Sequence, residues 1–206
     1  MSAPDFNLRE TLLSFNGGLW QSTFVRFDSS GSELDRFPCR LNIQDINGEI
    51  VASLTHLNSG KTRRMAFREP PDEMQQTVDG HWSLGPPSVG AWPWGAEFCL
   101  CHGDQRRRAV IQYSAKGLDS FVLIWDRRSL TPPDLPSGPI QLKSGASAHL
   151  LPGQILWQFL DDFEVLVMAG KWDAVPMATG IRWRPQPGIS HELMLHYGVS
   201  GRLEKD

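Results

Sequence analysis

The chain has 206 residues, of which 40% are hydrophobic and 21% charged, enough apolar content for a folded core and too much for a disordered segment. Its 20 Lys and Arg stand against 23 Asp and Glu, a formal charge of −3, which argues against a general nucleic-acid binder. No apolar run reaches the roughly 20 residues of a membrane span, the polar start Met1-Ser2-Ala3-Pro4-Asp5 does not read as a secretory signal, and an odd three cysteines fit a reducing cytoplasm better than a disulfide framework.

The first element is a short helix over about 7–16. Asn7 and Glu10 fit a capping box, Leu8, Leu12 and Phe15 share one helical face, and Gly17-Gly18 supplies a left-handed stop. From Leu19 the pattern changes to period two. Strand-like runs then recur between turn signals such as Asn47-Gly48, Asp79-Gly80 and Lys116-Gly117. They cover 40–46, 49–57, 62–67, 74–78, 96–102, 106–113 and 118–125, and later 155–159, 163–168, 180–184 and 192–197. Consecutive strands without intervening helices predict an antiparallel meander. The expectation is one all-β domain over 1–206, an up-and-down barrel of about ten strands spanning about 18–204 with the helix as lid or plug. A two-sheet sandwich is the alternative. The proline-rich stretches 85–95 and 127–138 read as long loops that shape the barrel mouth.

Gly18-Leu19-Trp20 has the G-x-W form with which small calyx barrels open. A Trp there closes one end under an arginine from a late strand, for which Arg182, Arg184 and Arg202 are the candidates. On a strand over 106–113, alternation groups Arg106, Arg108, Val110 and Gln112 on one face and Arg107, Ala109, Ile111 and Tyr113 on the other. Turned inward, the first set places two guanidiniums where they can clamp carboxylates; turned outward, it is a solvated face. The run Lys61, Arg63, Arg64 and Arg68 reads as a solvated strand rather than an RNA groove. Cys99 and Cys101 share a strand face with His102 turned away, and His81, His149, His191 and His196 are scattered, so no metal is expected. His191-Glu192 lacks zincin spacing, nucleophile-elbow and P-loop motifs are missing, and Asp161-Asp162 with Glu164 reads as a solvated turn.

Several short motifs in order resemble the calycin-like superfamily of phycobiliprotein lyases of cyanobacteria and plastids, in an uncharacterised branch. They are Asn16-Gly17-Gly18-Leu19-Trp20, His81-Trp82-Ser83-Leu84-Gly85, Glu97 with Gly103, Arg106-x-Arg108 and Tyr113, Leu151-Pro152-Gly153, and Tyr197 with Gly201-Arg202-Leu203. The resemblance implies a lipocalin-like barrel that binds a linear tetrapyrrole (a bilin such as phycocyanobilin) and delivers it to a cysteine of an antenna protein. It implies catalysis by positioning, with the reacting thiol on the client and no required cofactor. Ligand contacts are then expected at Arg106, Arg108, Gln112, Glu97 and Trp125, with Trp20 and Arg202 closing the barrel. Trp125-Asp126 stands where the resembled proteins usually carry Arg-Glu, which weakens the anion clamp at that point. A carrier of another apolar ligand, or an assembly factor with a barrel filled by its own side chains, are the other readings.

Overall fold

The computed structural model of the chain describes residues 7–145 and 150–204; Met1–Asp5 and His149 lie outside them. Helix α1 (Leu8–Asn16) begins at Asn7, whose extended backbone and side-chain oxygen cap the Glu10 N–H at 3.1 Å. It ends differently from the expected left-handed cap. Gly17 is extended (φ −63°, ψ 162°) with its N–H on Leu13 O, and the positive φ falls on Gly18. Glycine is still required at 17, because a Cβ there would stand 2.3 Å from Leu13 O.

Nine strands follow: β1 (Gly18–Asp28), β2 (Glu33–Ile46), β3 (Glu49–His56), β4 (Thr62–Phe67), β5 (Met74–Gln76), β6 (Trp82–Leu84), β7 (Trp94–His102), β8 (Gln105–Ser114) and β9 (Gly117–Arg127). All pairs are antiparallel, in the order β4-β3-β2-β1-β9-β8-β7-β6-β5. The two meanders join through β1 and β9, and the sheet stays open between β4 and β5. Helix α1 bridges that opening. Arg9 Nε donates to Arg68 O just beyond β4, and the Gln76 amide of β5 donates to Leu8 O and accepts from Leu12 N. The result is a half-barrel closed on one side by the helix.

The remaining strands are β10 (Lys143–Gly145), β11 (Gln154–Phe159), β12 (Phe163–Met168), β13 (Met177–Gln186) and β14 (Ile189–Tyr197). They form a separate five-stranded sheet in chain order. The fold is therefore all-β with one short helix, as expected, but its strands divide between two sheets instead of closing one barrel of about ten. The reason is visible at β9, which is flanked by β1 and β8 and offers no edge for the next strand. The proline-rich segment after β9 instead crosses β1 and β2. Thr23 Oγ1 donates to Pro133 O, and Arg36 donates to Pro136 O and Gly138 O.

The second sheet covers the outer face of the half-barrel. Phe27, Phe98, Ile111, Leu123 and Trp125 pack there with Phe159, Phe163, Val165 and Trp183 in one cluster. Burying a large apolar side chain stabilises by about 1.5–3 kcal/mol, so this layer holds the two sheets together. The inner face of the half-barrel is left to different residues.

Candidate ligand site

Strand β8 alternates as its sequence predicts. Arg106, Arg108 and Val110 take the inner face, while Ala109, Ile111 and Tyr113 enter the core between the sheets. At the helix end the inner face is sealed. Trp20 is fully buried and donates from Nε1 to Asn16 O at 2.9 Å. The guanidinium carbons of Arg106 and Arg128 stack on its ring, 3.8 and 4.3 Å from the centroid. The arginines over Trp20 are therefore Arg106 and Arg128, not the late-strand candidates. Arg202 is exposed and bridges to Ser88, and Arg182 and Arg184 bind Glu164. The register explains the difference: Gln21 pairs with Arg127 and Ser22 with Asp126, which brings the end of β9 and the start of β8 beside Trp20.

Both guanidiniums read as carboxylate partners are engaged within the chain. Arg106 lies 3.1 Å from the Asp126 carboxylate and Arg108 2.7 Å from it. Asp126 is fully buried and also accepts from Ser22 Oγ. Burial would raise its carboxyl; the charges of Arg108 and Arg106, with hydrogen bonds from Arg108 and Ser22, outweigh this and hold it at about 2. The trio is an internal ion cluster, and Arg106, 1% exposed, is out of reach of a ligand.

Beyond the trio the inner face opens. Arg108 Nη1 reaches the Glu97 carboxylate at 3.3 Å, and Glu97 keeps 31% of its side chain exposed. Burial raises the Glu97 carboxyl, against the pull of Arg108. Phe37, Leu54, Val110 and Val122 are partly buried around Phe24, Cys39 and Ile124. Met65, opposite Ala52 in the register, is 58% exposed. The structure thus brings Arg108, Glu97 and Val110 together. Gln112 lies farther along β8, exposed and accepting from Ser120 Oγ at 3.3 Å. Trp125 has the opposite orientation from the one a ligand contact needs. It sits between the sheets, 2% exposed, 4.2 Å from the Phe159 ring, because it is one residue out of phase with Asp126.

A second cluster escaped the sequence reading. His81 Nδ1 accepts from the Cys101 backbone N–H at 3.1 Å, so its Nε2 carries the proton. That nitrogen faces His191 Nδ1 at 3.2 Å, and His191 Nε2 faces His102 Nδ1 at 3.2 Å. One backbone donor therefore sets the direction of a three-imidazole chain that links β7 to β14 across the two sheets. Nothing in the local spacing of residues 81, 102 and 191 marks it. Among the described residues no group of three His, Cys, Asp or Glu is arranged to hold a metal.

The second sheet has its own concavity on the side away from the half-barrel. It is a cavity of about 370 Å³ lined by Leu151, Leu156, Leu166, Gly180 and Met194, with Glu164, Arg182 and Glu192 at its edge. Among the described residues no helix is long and apolar enough to cross a membrane.

These features define an all-β protein built as an antiparallel half-barrel, sealed by a helix and backed by a second sheet. The chain belongs to the DUF3598 family, whose N-terminal domain, described as a domain of unknown function, matches residues 8–131. That stretch coincides with α1 and the nine-stranded sheet. A crystal structure of a DUF3598 protein from Nostoc punctiforme, described as having unknown function, is similar with a TM-score of 0.76 and 16% identity, covering 96% of each chain. At that identity the likeness is one of fold. No curated protein matches the chain.

Proposed function

We propose that the chain holds an extended apolar small molecule against the inner face of the half-barrel, with one carboxylate or other polar group of the ligand at Arg108 and Glu97. The observation that carries this reading is the set of incompletely buried apolar side chains on the inner face, Phe37, Leu54, Val110, Val122 and Met65, on the same face as Glu97, whose partly exposed carboxylate reaches the buried Arg108. An apolar surface with few convergent polar groups is the usual composition of a small-molecule site. A linear tetrapyrrole is the ligand class we put first, from the sequence resemblance, and its transfer to an antenna-protein cysteine is the activity that would follow. A ligand carboxylate would displace Glu97 from Arg108, a step eased by the raised affinity of Glu97 for a proton. Because Asp126 holds both arginines and only Arg108 extends an Nη1 to the partly exposed Glu97, the site offers one polar anchor, not two.

Visible absorption during titration with free phycocyanobilin tests the proposal. The expected result is a saturable red shift with sharpened bands, abolished in a folded Val110→Trp variant that fills the inner face. Covalent colour on added antenna subunits after denaturation would separate a lyase from a carrier. No spectral change at high micromolar bilin would remove the tetrapyrrole reading.

A further inference from the structure

The sealed end of the half-barrel holds two thiols that the ligand reading does not use. Cys99 and Cys101 both point to the inner face of β7, with their sulfurs 3.9 Å apart, 0% and 6% exposed. Their common polar neighbour is Asn16 Oδ1, and it is oversubscribed. Arg106 Nη1 donates to it at 3.1 Å, Trp82 Nε1 at 3.2 Å, Cys99 Sγ at 3.3 Å and Cys101 Sγ at 3.5 Å. A carbonyl oxygen has two lone pairs, and the charged guanidinium and the indole N–H outcompete weak S–H donors for them. The thiols are left to bond each other, with Gly80 O at 3.5 Å from Cys101 as a further acceptor.

We propose that Cys99 and Cys101 form an oxidisable thiol pair whose co-reactant is hydrogen peroxide. Cys101 loses its proton and its sulfur attacks the peroxide. An S–O bond forms, the O–O bond breaks, and the departing hydroxide takes a proton and leaves as water. Cys99 then attacks the sulfenic sulfur of Cys101. The S–S bond forms, the S–O bond breaks, and the Cys99 proton leaves with the hydroxide as a second water. Two thiols are oxidised and one peroxide is reduced to two waters. Cys101 is the attacking thiol because it is the more exposed of the pair. A hydrogen bond from Cys99, the neighbouring His81 and the charge of Arg106 also favour its thiolate, whereas burial raises Cys99. Cys39 is an internal control: it has no thiol partner, and burial pushes it up to about 11. The pair touches Asn16 at the end of α1, so its oxidation acts on the seal of the half-barrel.

The test treats the full folded chain with hydrogen peroxide, alkylates the remaining thiols and maps the unreduced peptides by mass. The expected result is a loss of about 2 Da on the peptide carrying Cys99 and Cys101, reversed by a thiol reductant, with Cys39 still alkylated. In Cys99→Ser the crosslink disappears and a sulfenic acid is trapped by dimedone at Cys101. In Cys101→Ser both signals disappear. Oxidation of Cys39 as fast as the pair, or a crosslink that forms only in urea, would overturn the proposal. The map of the unmutated chain decides this by itself and involves no bilin, so its outcome is independent of the ligand titration.

Discussion

The residues that most resemble a ligand clamp are an internal one. Arg106, Arg108 and Asp126 pair with each other in a buried position, and their value to the fold shows when one is removed. Asp126→Ala leaves two buried guanidiniums without their anion, for which a cost of about 3–5 kcal/mol is expected. Urea unfolding should show that loss. Arg106→Leu with Arg108→Leu should be equally damaging, since it strands the Asp126 carboxylate. Replacing all three with apolar residues of similar volume should recover most of the lost stability, because a buried ion cluster and a well-packed apolar one are close in energy. Failure of the triple variant to recover would mean that the trio has a further role. The arginine alternation was legible in the sequence, since 106 and 108 share a face on any strand. Their partner was not, because Asp126 meets them only through the pairing of β8 with β9.

Among the elements, β7 and β14 are joined by the His81–His191–His102 chain, and this junction responds to acid. Burial, then the charges of His81 and His102, lower the His191 imidazole below its ordinary value of 6.5, with Asp79 opposing. The unfolded chain accepts a proton there that the folded chain resists. Stability is therefore full above about pH 6.5 and falls as the pH drops below it. Asp126 adds a separate window: its stabilisation is present above 3.8 and lost as the pH falls through about 2. Thermal unfolding between pH 4 and 8 should show the His191 step, and His191→Gln should flatten it while lowering stability at pH 8. An unchanged pH profile in that variant would contradict the assignment. Residues 81, 102 and 191 come from different strands or turns and lie far apart in sequence, so no local pattern could have joined them. The helix α1, by contrast, was legible to within a residue, because its Asn7 cap is a local device.

For the whole molecule, period-two patterning was enough to give an all-β fold with one short helix. It was not enough to place the strands in sheets. Whether β10 extends the first sheet depends on β9 having both edges taken, a consequence of its pairing with β1 and β8 rather than of its own residues. The same limit applies to the site. Trp125 and Asp126 are neighbours in sequence, yet one enters the core between the sheets and the other the ion cluster, so a ligand contact read at Trp125 falls on the wrong face. Among the described residues there are two open apolar surfaces, the inner face of the half-barrel and the trough on the second sheet. The second also carries ion pairs, Arg182 with Glu164 and Glu192; the first is preferred because its Glu97–Arg108 pair lies beside the end sealed by Trp20. The measurement that tests this choice most directly is methyl-resolved NMR during titration with phycocyanobilin. Shifts at Leu54, Met65, Val110 and Val122 are the predicted result; shifts confined to Leu156, Leu166 and Met194 would place the ligand on the second sheet and contradict it.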